Sequence, residues 1–200
     1  MSATTERQQV VNPANQVPGP PQGNWTYNHY AALPDDGQRY EIVDGVLFMA
    51  PSPGSSHQDA VLWIAHYLQI HVRLAGLGRV YVAPFDVVLA PGVVVQPDVM
   101  VILNDESNKI TPSRIVGAPS LVVEVSSPAT IGYDRREKQN AYARTGVREY
   151  WIVHPGEQTV EVLSLEGGEY SSLGYCAKKD KLVSRIVPTI SEVAAEQFFA

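Results

Sequence analysis

A chain of 200 residues, 44% of them apolar, has the size and make-up of one globular domain, or one domain with tails, able to bury a real core. Its 15 Lys and Arg stand against 21 Asp and Glu, a formal net charge of -6, which taken alone argues against loose charge-driven adhesion to nucleic acid but leaves room for a local basic surface. Cys176 alone can form neither an internal disulfide nor a cysteine zinc framework, and with no signal-like start and no apolar run long enough to span a bilayer, a reducing cytoplasm is the expected home.

In chain order, residues 1–23 are polar and carry Pro13, Pro18, Pro20 and Pro21, so a disordered tail is expected ahead of a single domain over residues 24–200. A short aromatic helix follows over 25–33, closed by Asp35-Asp36-Gly37. Tyr40-Glu41-Ile42-Val43 and Val46-Leu47-Phe48-Met49 flank Asp44-Gly45, a dipeptide favoured in two-residue turns because both positions tolerate positive φ, and this predicts a β-hairpin. Ala60, Ile64, Leu68 and Val72 recur on one helical face of a segment over 56–75, which Gly76 and Gly78 terminate. Strands over 79–82 and 85–89, a Pro91-Gly92 turn and one long strand over 93–103 predict an antiparallel meander, with 104–119 as polar connection.

Residues 121–125 form a buried strand stopped by Ser126-Ser127-Pro128. Asp134 and Glu137 have the spacing of a capping box for a helix running to Thr145, and Gly146 supplies its C-terminal stop. A strand over 148–153 then completes a βαβ crossover, so the two strands are expected to be parallel neighbours. Strands over 160–165 and 170–175 around Gly167-Gly168, and a short helix to Phe198 capped by Thr189 and Glu192, end the chain. The fold class is α+β on a mixed sheet.

Glu124 stands inside the apolar run Leu121-Val122-Val123-Glu124-Val125, where an ion costs several kcal/mol to desolvate unless a cation or donors meet it. If Asp98, fixed by Pro97 at the start of an apolar strand, lies on the neighbouring strand, the two carboxylates make a hard-oxygen pocket suited to Mg²⁺. Each residue also has a bland reading: a solvated strand-initiating Asp, and a Glu in a structural salt bridge. Glu124 and Ser126 share a strand face. Asp134, Lys138 and Tyr142 lie four apart on one helix face that a crossover can fold over the sheet, although Asp134-Arg135-Arg136-Glu137-Lys138 also suits a solvated face.

Taken together, Glu41 with Asp44-Gly45, His57 at a helix start, Pro97-Asp98, Glu124-Val125-Ser126-Ser127-Pro128, Asp134 with Lys138 and Tyr142, and Gly146-Val147-Arg148-Glu149-Tyr150-Trp151-Ile152-Val153 form an order that resembles the Uma-type restriction endonuclease family, within the PD-(D/E)XK nuclease superfamily. The resemblance spans residues 30–165. It implies a restriction endonuclease-like core, with N-terminal hairpin, meander and crossover, and Mg²⁺- or Mn²⁺-dependent endonucleolytic hydrolysis of DNA. The catalytic positions it implies are Asp98, Glu124 and Lys138, and Glu41 and His57 match recurrent family positions expected to line the cleft as secondary residues. A metal bound there is expected to be held by Asp98, Glu124 and the main-chain carbonyl of Val125. In many such nucleases a lysine stands two residues beyond the strand glutamate. Ser126 occupies that position here, so the charge is expected from Lys138 on the following helix. His154 replaces the aspartate that precedes Pro155 in the family pattern and is expected to affect a turn.

Cutting both strands of DNA also invites a homodimer. The competing class is a catalytically inactive nuclease-fold binding or regulatory domain, which the acidic balance and Ser126 favour. A ligand-binding β-rich protein is a third reading, and it expects Glu124 away from Asp98.

Overall fold

Asp44 and Gly45 adopt φ of 52° and 72° and close a hairpin between β1 (Arg39–Val43) and β2 (Val46–Ala50), with Val43 opposite Val46 and Arg39 opposite Ala50. Alternation along β1 puts Arg39 and Glu41 on one face and Tyr40 and Ile42 on the other. The computed structural model describes residues 11–199, so the first ten residues of the expected tail lie outside it. The rest of that stretch is a correction. Pro13 bridges to Phe48, the Ala14 amide donates to Leu47, and Gly23 and Trp25 both donate to Gly45, so residues 11–23 lie against the hairpin. Trp25, 1% exposed, supplies the apolar burial that the tail's composition lacked.

The segment after α1 (Tyr27–Tyr30), β1 and β2 begins with α2 (Ser55–Leu68), which continues as a π-helical turn over Gln69–Leu74 and stops at Gly76, φ 72°. The expected meander is divided between two sheets. β3 (Gly78–Val82) pairs with β6 (Val99–Leu103), whereas the intervening β4 (Asp86–Ala90) and β5 (Val93–Val95) pair with each other and, through β5, with β1. The expected strand over 93–103 therefore breaks at Gln96-Pro97-Asp98. Pro97 has no N–H to give a ladder, and the Gln96 N–H goes to Glu41 Oε1 at 2.9 Å. That break carries the chain from one sheet to the other and leaves Asp98 at the head of β6.

The expected connection over 104–119 holds a 3₁₀ turn, Asn104–Lys109, and β7 (Arg114–Val116), which runs parallel to β4. β8 (Leu121–Val125) and β9 (Glu149–His154) are the parallel neighbours expected of the crossover, and β10 (Thr159–Glu166) and β11 (Glu169–Ala177) extend that sheet. The sheets run β2-β1-β5-β4-β7 and β11-β10-β9-β8-β6-β3. The expected terminal helix is instead two 3₁₀ turns, Pro188–Glu192 and Ala195–Phe198, and the side chain of Gln197 rather than Thr189 takes the free amide of Ala194.

Strand alternation divides the second sheet between two cores. Val99, Val101, Leu121, Val123, Val125, Trp151 and Val153 pack with Ala60, Ile64, Leu68 and Val72 of α2. Met100, Ile102, Val122, Tyr150 and Ile152 face the other way, onto Val43, Val87 and Val95 of the first sheet and onto Ala141 and Tyr142 of the crossover helix. Burial on both faces explains why β8 reads as an unbroken apolar run around its single acid.

Gly45 is the tightest point of the hairpin, because a Cβ there would lie 2.3 Å from the Gly23 carbonyl oxygen and φ is 72°. Gly45→Ala is expected to lower stability by roughly 2–4 kcal/mol, from left-handed strain plus displacement of the 11–23 segment, as read from urea denaturation midpoints.

Candidate active site

Asp98 emerges from the Pro97 break beside the C-terminal end of β8. Its Oδ2 accepts the Val125 N–H at 2.8 Å, and His57 Nε2 lies 3.1 Å from the same oxygen. One residue earlier, the Glu124 side chain leaves the opposite face of β8 from Val123 and Val125, toward the crossover helix. The two acids the sequence singled out thus meet at one strand end.

The helix that covers them starts with α3 (Ile131–Tyr133), passes through a π-helical turn over Asp134–Lys138, and ends as α4 (Gln139–Thr145) at Gly146, φ 89°. Asp134 does not cap it, as its spacing to Glu137 had implied; Asp134 lies inside the π-turn and its Oδ2 accepts the Ser126 hydroxyl at 2.7 Å. The helix begins earlier because Thr130 and Ser127 close the preceding turn through their own hydroxyl and backbone bonds. From the same face Lys138 Nζ reaches Glu124 Oε1 at 2.9 Å and Glu41 Oε1 at 3.0 Å, and the Tyr142 hydroxyl donates to Glu124 Oε1 at 2.5 Å. The charged face expected to be solvated is buried where it carries Asp134 and Lys138, while Arg135 and Arg136 remain at the surface.

Glu41 therefore does more than line the cleft, since its Oε1 joins Lys138 to the Gln96 amide. Arg39, two residues earlier on the same face of β1, places Nη1 3.9 Å from Asp98 Oδ1. Arg39, Glu41, His57, Asp98, Glu124 and Lys138 line one cleft of about 560 Å³. His154, the departure from the family pattern, ends β9 opposite Thr159 and lies away from this cleft. Arg39 and Gln96 were not foreseen. The signal for Arg39 was its period-two spacing to Glu41 beside a firm turn; Gln96 had none, because its role depends on where the strand breaks.

Four buried carboxylates, Glu41, Asp98, Glu124 and Asp134, surround one buried ammonium, Lys138. Burial pushes the Glu124 carboxyl up to about 8 against the pull of Lys138, with the other acids adding to the rise. Burial likewise pushes Asp134 up to about 6, opposed by Lys138 and the Ser126 hydroxyl. Asp98 is also desolvated, but the hydrogen bond and charge of His57, with Lys138 and the Val125 N–H, hold it below the usual carboxylate range. Burial disfavours the Lys138 ammonium, yet the summed attraction of Glu124, Glu41, Asp134 and Asp98 keeps its pKa above the ordinary lysine value, so it remains a cation.

The donor set fits a hard divalent cation. Among the described residues, Asp98 Oδ1 and Glu124 Oε2 make no hydrogen bonds, while their partner oxygens are already used. The Val125 carbonyl lies on the same strand edge as its N–H, which faces Asp98. No group of three or more His, Cys, Asp or Glu side chains converges at metal-ligand geometry among the described residues, so a cation bound here would rely on two carboxylates, a carbonyl and water. The local excess of negative charge supports the same fit.

These features define an α+β protein whose acidic cleft lies between a strand end and a crossover helix. The crystal structure of a "putative nuclease belonging to DUF820" from Anabaena variabilis superposes with a TM-score of 0.71 at 18% identity, covering 87% of this chain and 97% of that one, a likeness of fold. The model of the Uma2 family, described as "Putative restriction endonuclease", matches residues 27–196, and the chain belongs to that family. No curated protein matches the chain.

The raised acids set a pH dependence of stability. Between their ordinary range and the raised values the folded state holds protons that the unfolded chain has released, so stability falls as pH rises through that window and levels off above about 8. Glu124→Gln removes the larger contribution. Its urea midpoint is expected to decline less between pH 5 and about 8.5 than that of the wild type, and parallel declines would refute the assignment. Asp98 acts in the opposite sense, its contribution being lost only on acidification below the ordinary carboxylate range.

Proposed function

We propose that this protein is a divalent-metal-dependent endonuclease that hydrolyses DNA phosphodiester bonds. The observation that carries the reading is the Lys138 ammonium, 2.9 Å from Glu124 and 3.0 Å from Glu41, in the same cleft as an Asp98 pinned to the Val125 amide. Asp98, Glu124 and the Val125 carbonyl would hold Mg²⁺ or Mn²⁺. When bound, the cation neutralises charge gathering on the phosphate and acidifies the attacking water.

The chain's own groups supply the rest. The water oxygen forms a bond to phosphorus as the ester P–O bond breaks; the water's proton leaves to solvent, and the departing oxygen takes a proton in exchange. Lys138 remains protonated, so it acts as a fixed positive charge beside the attacking oxygen and not as the base. Its position costs no reorganisation, because Glu124 and Glu41 hold it from two strands. His57 contacts Asp98 Oδ2 and is a positioning residue for that carboxylate. Tyr142 packs edge-on to Tyr150 and orients Glu124 through its hydroxyl.

A second reading, a nuclease-fold binding or regulatory domain without turnover, is favoured by how completely Glu124 and Glu41 enclose Lys138. Isothermal titration with Mn²⁺ separates the two, since a folded wild type that takes up no metal supports the second. The third reading loses its premise, because Asp98 bonds to the residue next to Glu124.

Nicking of supercoiled plasmid by the wild type in Mg²⁺ or Mn²⁺ is expected to fall at least about a hundredfold in Asp98→Ala, Glu124→Gln and Lys138→Ala. Equal activity in all four proteins would mean a contaminant or another site.

A further inference from the structure

Arg39 differs from the other cation of the cleft. Lys138 is 4% exposed and enclosed by two carboxylates and the Tyr133 ring, whose centroid is 5.5 Å away. The Arg39 side chain keeps 27% of its exposure. Its Nε donates to Gln96 Oε1 at 3.0 Å and its Nη2 to the Gln96 main-chain oxygen. Nη1 is 3.9 Å from Asp98 Oδ1, beyond hydrogen-bond range, and has no hydrogen bond among the described residues. A guanidinium is planar, so two bonds to one neighbour fix the direction of its third nitrogen.

Gln96 is itself held. Its Nε2 donates to Asp86 Oδ1 at 2.8 Å and to the Tyr30 hydroxyl at 3.0 Å, and that hydroxyl donates to Asp86 Oδ1 at 2.8 Å. A carboxamide whose nitrogen must face a carboxylate has its oxygen committed to the opposite side, where Arg39 stands. Its main-chain N–H is taken by Glu41. This is a polar array of several residues aiming one free edge of an arginine at the acidic cleft, more organisation than a surface ion pair needs.

We propose that Arg39 Nη1 grips a non-bridging oxygen of a backbone phosphodiester beside Asp98, with Gln96, backed by Asp86 and Tyr30, as its positioning residue. The inference rests on the nuclease reading of the site and adds to it the group that seats the substrate. Arg39 and Gln96 also line a second cleft of about 540 Å³, whose other walls include Tyr30, Leu33, Pro34 and Tyr40. A phosphate held at Arg39 has space on both sides, which suits an internal phosphodiester better than a terminal phosphate. The guanidinium also offsets the repulsion that Asp98 and Glu124 exert on an approaching anion.

The test pairs two measurements on the full chain: anisotropy of a fluorescent duplex oligonucleotide with Ca²⁺ in place of Mg²⁺, and steady-state cleavage in Mg²⁺. Arg39→Gln is expected to weaken binding about ten- to a hundredfold, to raise KM more than it lowers kcat, and to reduce the salt slope of binding by about one. Arg39→Lys, which keeps the charge but cannot take both Gln96 bonds, restores only part of the affinity and decides the matter if Arg39→Gln fails to fold by circular dichroism. Gln96→Ala weakens binding alone and adds nothing in the Arg39→Gln background, a non-additivity that a merely structural role does not produce.

Wild-type affinity, KM and salt slope in a folded Arg39 variant overturn the inference while leaving the cleavage reading in place. Binding that depends on Arg39 without any cleavage sinks the nuclease reading and sustains the phosphate site. A wild type that neither binds nor cleaves overturns both.

Discussion

An ammonium buried between two carboxylates holds the centre of this molecule together. Lys138 comes from the crossover helix, Glu124 from β8 and Glu41 from β1, so one charge ties the helix to both sheets. Each of these ions loses several kcal/mol of hydration on burial, and removal of one member strands the others. The arrangement persists because each acid has further donors, Tyr142 on Glu124 and the Gln96 amide on Glu41. Those donors in turn require the π-turn that presents Lys138 and the strand break that frees Gln96. Single π-helical turns of this kind recur at functional sites because they re-aim a side chain without ending the helix.

Glu149 shows how differently the same residue type can be used a strand away. It is fully buried and forms no ion pair among the described residues; its carboxylate accepts the Trp151 indole N–H, the Ser184 hydroxyl and the amides of Arg185 and Ile186. Neutral and backbone donors satisfy it, and its work is to fasten the segment after β11 to the sheet. Glu124 has an excess of neighbouring acids and, among the described residues, one oxygen that makes no hydrogen bond. The difference lies in the neighbours, and neither residue's own flanking sequence contains it.

The two sheets divide the labour of the fold. The second, with α2 on one face, is a conventional buried core built by strand alternation. The first is smaller, and its hairpin supplies Glu41 and Arg39 to a cleft that draws Asp98 and Glu124 from the second. The passage at Gln96-Pro97-Asp98 joins the sheets and delivers Asp98 in one step. The segment over residues 11–25 braces the hairpin from outside, with Ala14 and Trp25 buried against it.

Local rules carried the sequence a long way. The Asp44-Gly45 turn, the α2 stripe, the parallel pair β8 and β9 and the stop at Gly146 follow from φ preferences and periodicity, which neighbours in the chain determine. The isolated acid in β8 marked the candidate site because an ion in an apolar run must find a partner, here Lys138. Tertiary structure alone decided the rest. Alternation fixed the face of Glu124 but not what stood opposite; the division of the meander depended on competition between two sheets for the same strands; and Asp134, read as a cap, found Ser126 instead. The packing of 11–23 and the fixing of Arg39 by Gln96 depend on partners at least a dozen residues away, where spacing along the chain carries no information about which groups will meet.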